Sequence, residues 1–278
     1  MTRQPHAAPL NDWANGTRVT APIADFAAKA LVAAELEVRK LRHDPIQLFT
    51  RAVQPVLWLT IFGQVFTQVR GIPTGGLSYM DFMTPGILAQ SVLFMSIFTG
   101  LLVIWEKDLG ILHKLMVSPA PKSALVLGKA IGAGVRCLSQ LLIVYIVAAL
   151  LGVGLSWRPL DILGVATVVM LGAALFSTFS LIVACWAQTH ERVMGVGQLM
   201  MMPLFFASNA IYPIDIMPGW LQVVSRLNPL TYMVDALRNL MLVEPAGSYS
   251  LGLSMSILIG VSALLIAFCG RLYPRLVR

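Results

Sequence analysis

The chain has 278 residues, 57% hydrophobic and only 12% charged, with a mean hydropathy of +0.78. Soluble domains are about 25% charged, so a soluble monomer is excluded, and the long apolar runs point instead to a polytopic membrane protein. The net charge of +7 does not indicate nucleic acid, because Lys and Arg form no single face and no aromatic residues interleave with them.

Residues 1–22 carry Pro, Asn, Asp and Arg but no apolar h-region, so no cleavable signal peptide is expected, and the segment reads as a disordered cytosolic tail. Residues 23–45 read as an amphipathic helix at the inner membrane interface. Ile23, Phe26, Ala27, Ala30, Leu31, Ala34, Val38 and Leu41 recur at helical spacing, while Asp25, Lys29, Glu37, Arg39, Lys40 and Arg42 take other faces.

Charges are costly at the bilayer centre and a span needs roughly 20 apolar residues, so charged residues bracket the spans. Reading between charges gives six windows: Arg51 to Arg70, Asp81 to Glu106, Arg136 to Arg158, Asp161 to Glu191, Arg192 to Asp215 and Glu244 to Arg271. Within a membrane domain of 46–271 the spans are placed at about 46–69, 82–105, 130–154, 160–187, 193–212 and 250–270, with a short tail at 272–278. No window alternates polar with apolar, so helices are expected rather than barrel strands. With the N-terminus inside, sixteen Lys and Arg fall in cytoplasmic segments and four outside, which places both termini in the cytoplasm.

The cytosolic connection at 105–123 is longer than a passive turn requires. Trp105 to Met116 reads as a short helix carrying Leu109, Leu112 and Leu115 or Met116 on one side, stopped by Pro119 and Pro121, with Ser123 placed to cap the next helix. Such a helix suits docking to a soluble partner or resting on lipid. Beyond it, Ala124, Gly128 and Gly132 repeat every four residues, a pattern for close packing inside one protomer or across a dimer seam.

Met194, Met200, Met201, Met202, Phe205 and Phe206 give the fifth span an adaptable apolar surface, fit either for a binding wall or for ordinary helix and lipid packing. Asn209 is one of its few strong hydrogen-bonding groups. From 212 to 241 the apolar pieces are cut by Asp215, Arg226, Asp235 and Arg238, while Pro218 and Asn228-Pro229 look like helix starts. Two short re-entrant helices in the outer leaflet fit this pattern.

Catalytic chemistry has no foothold. The four His lie outside the spans, and no HExxH, GxSxG or paired intramembrane carboxylates occur. Gly128-Lys129 lacks the first Gly and the Ser or Thr of a P-loop. Cys137, Cys185 and Cys269 lack metal or redox spacing and read as buried packing residues. The window interiors hold no Asp, Glu, Lys or Arg, which speaks against ion coupling.

The segment Met201, Leu204, Ala207-Ser208, Ala210, Met217-Pro218, Pro229-Leu230-Thr231-Tyr232 and Arg238 resembles the C-terminal signature of the ABC-2 family of ATP-binding-cassette permeases. Glu106, Gly110, Leu112, Leu115, Ser118-Pro119 and Gly128-Lys129 similarly resemble that family's coupling region, with Lys122 where the pattern often has Arg. Within the family the chain looks most like the daunorubicin-resistance type of drug permease.

The resemblance implies an all-α polytopic membrane protein of the type V exporter kind. It would have six transmembrane helices, an interfacial amphipathic helix, a cytosolic coupling helix and outer re-entrant helices. It implies a non-catalytic, dimeric half-transporter in the bacterial cell membrane, paired with itself or a sibling permease. This chain would hold no cofactor, because ATP and Mg bind a separate ATPase subunit. Glu106, Gly110, Leu112, Leu115, Ser118, Pro119, Arg39 and Arg42 would face that ATPase. Met95, Phe98, Met202, Phe206 and Asn209 would line the pathway, and Tyr212, Pro213, Pro229, Tyr232 and Arg238 would form the outer gate. The expected cargo is a hydrophobic drug or lipid-like molecule, since no aromatic belt for sugars is present. The alternatives are a polysaccharide or glycolipid exporter and a stand-alone secondary carrier.

Overall fold

A backbone in lipid must satisfy its own N–H and C=O groups, and helices do so within one segment. The computed structural model describes residues 28–32, 34–35, 39, 50, 53–67, 76–111, 121–187 and 189–273. Among them the only pairing outside helices and turns is an isolated antiparallel bridge between Leu155 and Leu242. We label the helices α1 (Val53–Phe66), α2 (Tyr79–Leu101), α3 (Val103–Asp108), α4 (Lys122–Leu150), α5 (Pro159–Ala187), α6 (His190–Phe206), α7 (Gly219–Leu227), α8 (Pro229–Met241) and α9 (Leu251–Leu272).

Among the described residues, four stretches are long and apolar enough to cross a membrane: Tyr79–Asp108, which joins α2 to α3, and then α4, α5 and α9. The protein is an all-α, multi-pass membrane protein. Helix α6 has 17 residues, about 25 Å at 1.5 Å per residue, somewhat less than a hydrocarbon core of about 30 Å. Helix α1 carries a π-helical turn at Trp58–Gly63.

Helix α5 is central, packing against α2, α4, α8 and α9. Apolar on all sides, α2 and α5 are largely buried, as such helices must be. Helix α9 is equally apolar but only 17% buried over its most hydrophobic stretch, and it turns Leu253, Ile259, Leu264 and Phe268 outward. Three hydroxyls on α2 are satisfied locally: Thr84, Ser91 and Thr99 each donate to the carbonyl four residues earlier. Ala124, Gly128 and Gly132 are all buried within this chain, so packing inside the protomer accounts for the small-residue stripe. Cys137, Cys185 and Cys269 are buried thiols outside any disulfide.

Three local expectations are corrected. The helix expected from Trp105 to Met116 is interrupted: α3 closes at Asp108, Gly110 takes a left-handed φ of 70°, Leu109 and Gly110 close the turn onto the carbonyls of Trp105 and Lys107, and Ile111 is helical again, with 112–116 outside the described residues. Ser123 does not cap α4, which starts a residue earlier with Pro121 at the cap position and no side-chain cap bond. Arg136, read as a window edge, lies midway along an unbroken α4 and is 6% exposed. Reading between charges assumes that each cation faces water, and a bundle interior can hold one instead.

Candidate functional site

At one end of the bundle, α3 continues the line of α2 and is fastened to two other helices. The Lys129 ammonium of α4 donates to the Glu106 carboxylate of α3, with only 14% and 13% of the two side chains exposed. Asp108 pairs with the His190 imidazole at the start of α6, and the Trp105 ring lies 4.8 Å from the same imidazole. Helix α3 is thus in contact with both α4 and α6 through charged side chains. Between α2, α3, α4 and α5 lies a cavity of about 250 Å³ lined by Thr99, Trp105, Glu106, Lys129, Arg136 and Ser177.

At the other end α6 stops and the chain turns through 207–218 into the α7–α8 hairpin. The ending carbonyls of α6 need partners. Asn228 supplies them, its amide donating to Leu204 O at 2.7 Å and to Ala207 O at 3.3 Å. The same side chain accepts from Leu230 N at 3.0 Å and caps α8, with Pro229 in the first turn.

Inside the hairpin sits a polar core. Asp235 and Arg238 are 0% and 1% exposed with 3.7 Å between them. Asp235 accepts from the Asn209 amide at 2.8 Å and from Tyr249 N at 3.1 Å. Arg238 donates to Asn209 O at 2.6 Å and to Phe82 O at 3.3 Å, and its guanidinium lies 3.7 Å from the Phe82 ring centre. A buried ion pair repays its desolvation only when the remaining donors and acceptors are also met. Here they join α8 to the 207–211 segment and to α2. That segment lies directly on α2: a Cβ on Gly86 would fall 2.2 Å from Ala210 O, and the Tyr79 hydroxyl donates to Ile211 O at 3.3 Å.

The residues expected to contact an ATPase divide. Glu106 points inward at Lys129, Gly110 forms the end of α3, and Arg39 bonds Glu35 one helical turn away. Leu112, Leu115, Ser118, Pro119 and Arg42 lie outside the described residues.

The pathway residues occupy three places. Met95 and Phe98 line a cavity of about 330 Å³ beside α1 and α4. Met202 and Phe206 are 47% and 46% exposed on α6. Asn209 is fully buried in the Asp235 network. Among the gate residues, the Tyr212 hydroxyl donates to Phe206 O, Tyr232 donates to Arg226 O at 2.7 Å, and Pro213 precedes the short 3-10 turn Ile214–Ile216.

Sequence reasoning placed Lys129 in the coupling region without its partner and missed the contacts of Asp108, His190, Asp235 and Phe82. Asp235 and Arg238, three apart in an apolar helix, carried a readable signal of pairing on one face. Lys129 and His190 find their partners only through tertiary contacts.

A family model described as ABC-2 type transporter matches residues 28–242. The chain belongs to the ABC-2 type transporter family. It is 31% identical over 201 residues to a protein of Cyanophora paradoxa named as transport permease ycf38, covering 72% of this chain and 69% of that one. It is 27% identical to the daunorubicin resistance ABC transporter permease protein DrrB1 of Streptomyces coeruleorubidus, covering 84% and 81%. It is 28% identical to the inner membrane transport permease YadH of Escherichia coli K12, covering 67% and 73%. ABC-2 permeases are membrane subunits of ABC transporters, and the ATPase activity resides in a separate subunit. The matched region contains the α3 corner and all of the polar core described above except Tyr249.

Proposed function

We propose that this chain forms the translocation pathway of an ATP-driven exporter for a hydrophobic drug or lipid-like substrate, working as a dimer of six-span permeases with both termini cytoplasmic. Helices α1 and α6 are the first and fifth spans in this reading, and the α7–α8 hairpin is the outer re-entrant gate. The observation that carries it is the double attachment of α3. Glu106 ties it to Lys129 of α4, and Asp108 ties it to His190 of α6. Helix α6 in turn ends in the polar core that joins α8 and α2.

An ATPase subunit docked beneath α3 and the segment after Gly110 pushes on this corner when it closes on ATP. The load passes along α4 and α6 to the gate. The interfacial helix around Arg39 and Arg42 rests against the ATPase and the inner leaflet lipid. The relative named for daunorubicin resistance and the exposed apolar side chains Leu199, Met202 and Phe206 of α6 support a hydrophobic cargo.

The test is purification of the tagged chain in mild detergent with ATP and vanadate. A co-purifying subunit with a Walker A motif, lost on Gly110→Pro, is the expected result. A chain that purifies alone and moves solutes without ATP would contradict the proposal.

A further inference from the structure

The cavity beside α1, α2 and α4 contains a buried polar group that the protein leaves unanswered. Gln140 is 1% exposed, it lines this cavity of about 330 Å³, and neither its amide nitrogen nor its amide oxygen has a hydrogen-bond partner. Buried polar groups are nearly always bonded, so an orphan amide facing a cavity calls for a partner from outside the chain.

Its depth follows from neighbouring contacts. Lys129 meets Glu106, and Cys137 Sγ lies 3.4 Å from Ser96 Oγ and 3.9 Å from Val92 O. The Tyr79–Asp108 stretch and α4 therefore run antiparallel, and Gln140, one turn beyond Cys137, lies level with Val92, about halfway along that 30-residue stretch.

The lining sets the chemistry of the occupant. None of the described lining residues is Asp, Glu, Lys or Arg. Phe94 and Phe98 are one helical turn apart on α2 and share a face, and Met95 beside them is an adaptable filler. The Ser91 proton is committed to Ile87 O at 2.8 Å, so that hydroxyl is left as an acceptor. A primary amide presents one acceptor and a donor side by side. The matching ligand group is an adjacent donor and acceptor, as in a lactam or carboxamide, attached to a flat apolar body.

We propose that this cavity is a binding site inside the protomer for an uncharged, flat amphipathic molecule whose adjacent donor and acceptor pair with the Gln140 amide while its apolar body lies against Phe94, Met95 and Phe98. The proposal rests on the export reading and adds a substrate class and a site to it. This site is distinct from the exposed α6 face carrying Met202 and Phe206.

The test uses two fluorescent probes on the full chain in lipid nanodiscs: 6(5H)-phenanthridinone, a planar lactam, and its N-methyl derivative, which lacks the donor. Saturable binding of the lactam is expected, with the N-methyl compound held about tenfold more weakly, the loss for one buried hydrogen bond left unmade. Gln140→Leu keeps the volume, removes the orphan amide without harming the fold, and abolishes the difference between probes. Leu199→Ala, on the exposed face of α6, leaves it intact. Equal affinity for the two probes in the wild type, unchanged discrimination in Gln140→Leu, or no saturable binding beyond that of empty nanodiscs would overturn the site. ATP-driven export by the complex is measured in parallel. Persisting export with no Gln140-dependent binding sinks only this site, whereas Gln140-dependent binding in a chain that no ATPase drives sinks only the export reading.

Discussion

Replacing Glu106 with Gln takes the carboxylate away from the Lys129 ammonium, in a setting where only 14% of the lysine side chain is exposed. Removing one member of a buried ion pair costs about 3–5 kcal/mol, and the residual exposure here puts the expected loss at about 3 kcal/mol. Lys129→Met takes the cation away from Glu106 and is expected to cost a similar amount. The double variant Glu106→Leu/Lys129→Met removes both charges of the pair, and apolar replacement of a whole pair is often near neutral. The two single losses therefore do not add.

The assay is thermal unfolding of each variant in nanodiscs, together with substrate moved per ATP hydrolysed in the complex. Both single variants lose stability and coupling. The double variant regains the melting temperature but not the coupling, because the charge tether from α3 to α4 is gone. A double variant that moves as much substrate per ATP as the wild type would refute a transmitting role and leave the pair purely structural.

Arg238→Met strands Asp235 in the hairpin core, and a loss of about 3 kcal/mol is expected, read as a lower melting temperature and faster proteolysis between α6 and α8. Gly86→Ala places a methyl 2.2 Å from Ala210 O and costs about 1–3 kcal/mol of overpacking, while Gly195→Ala, which meets nothing within 4 Å, leaves the melting temperature unchanged. Cysteines at Met202 and Phe206, on the exposed face of α6, form disulfides between two permease copies in membranes treated with oxidant. Cross-linking only through Leu264→Cys on α9 would move the seam to that helix.

The bilayer makes much of this fold legible, because a span is a run of apolar residues and needs no partner to be recognised. The cores of α5 and α9 stand out this way. The α7–α8 hairpin is readable from Asn228-Pro229, since a capping Asn before Pro fixes a helix start locally. The corner at α3 is less legible. Gly110 turns the chain where leucine spacing suggests a continuing helix, and periodicity does not weigh one glycine heavily enough. Arg136 shows the limit of reading between charges, since its burial depends on helices distant in sequence. The site residues suffered most from this. The family resemblance implies a docking role for Glu106 and a pathway role for Asn209, and each is turned inward onto a partner, Lys129 and Asp235, that only the fold brings near.

The central claim is that force at α3 reaches the α7–α8 hairpin. It is tested most directly by spin labels at Trp220→Cys, an exposed position on α7, with the distance between two permease copies followed in the complex with the ATPase subunit. The account predicts a distance distribution that shifts between the nucleotide-free and the vanadate-trapped state, and a shift abolished by Glu106→Gln. One unchanged distribution in both states of the wild-type complex, with the ATPase bound and turning over, would contradict it.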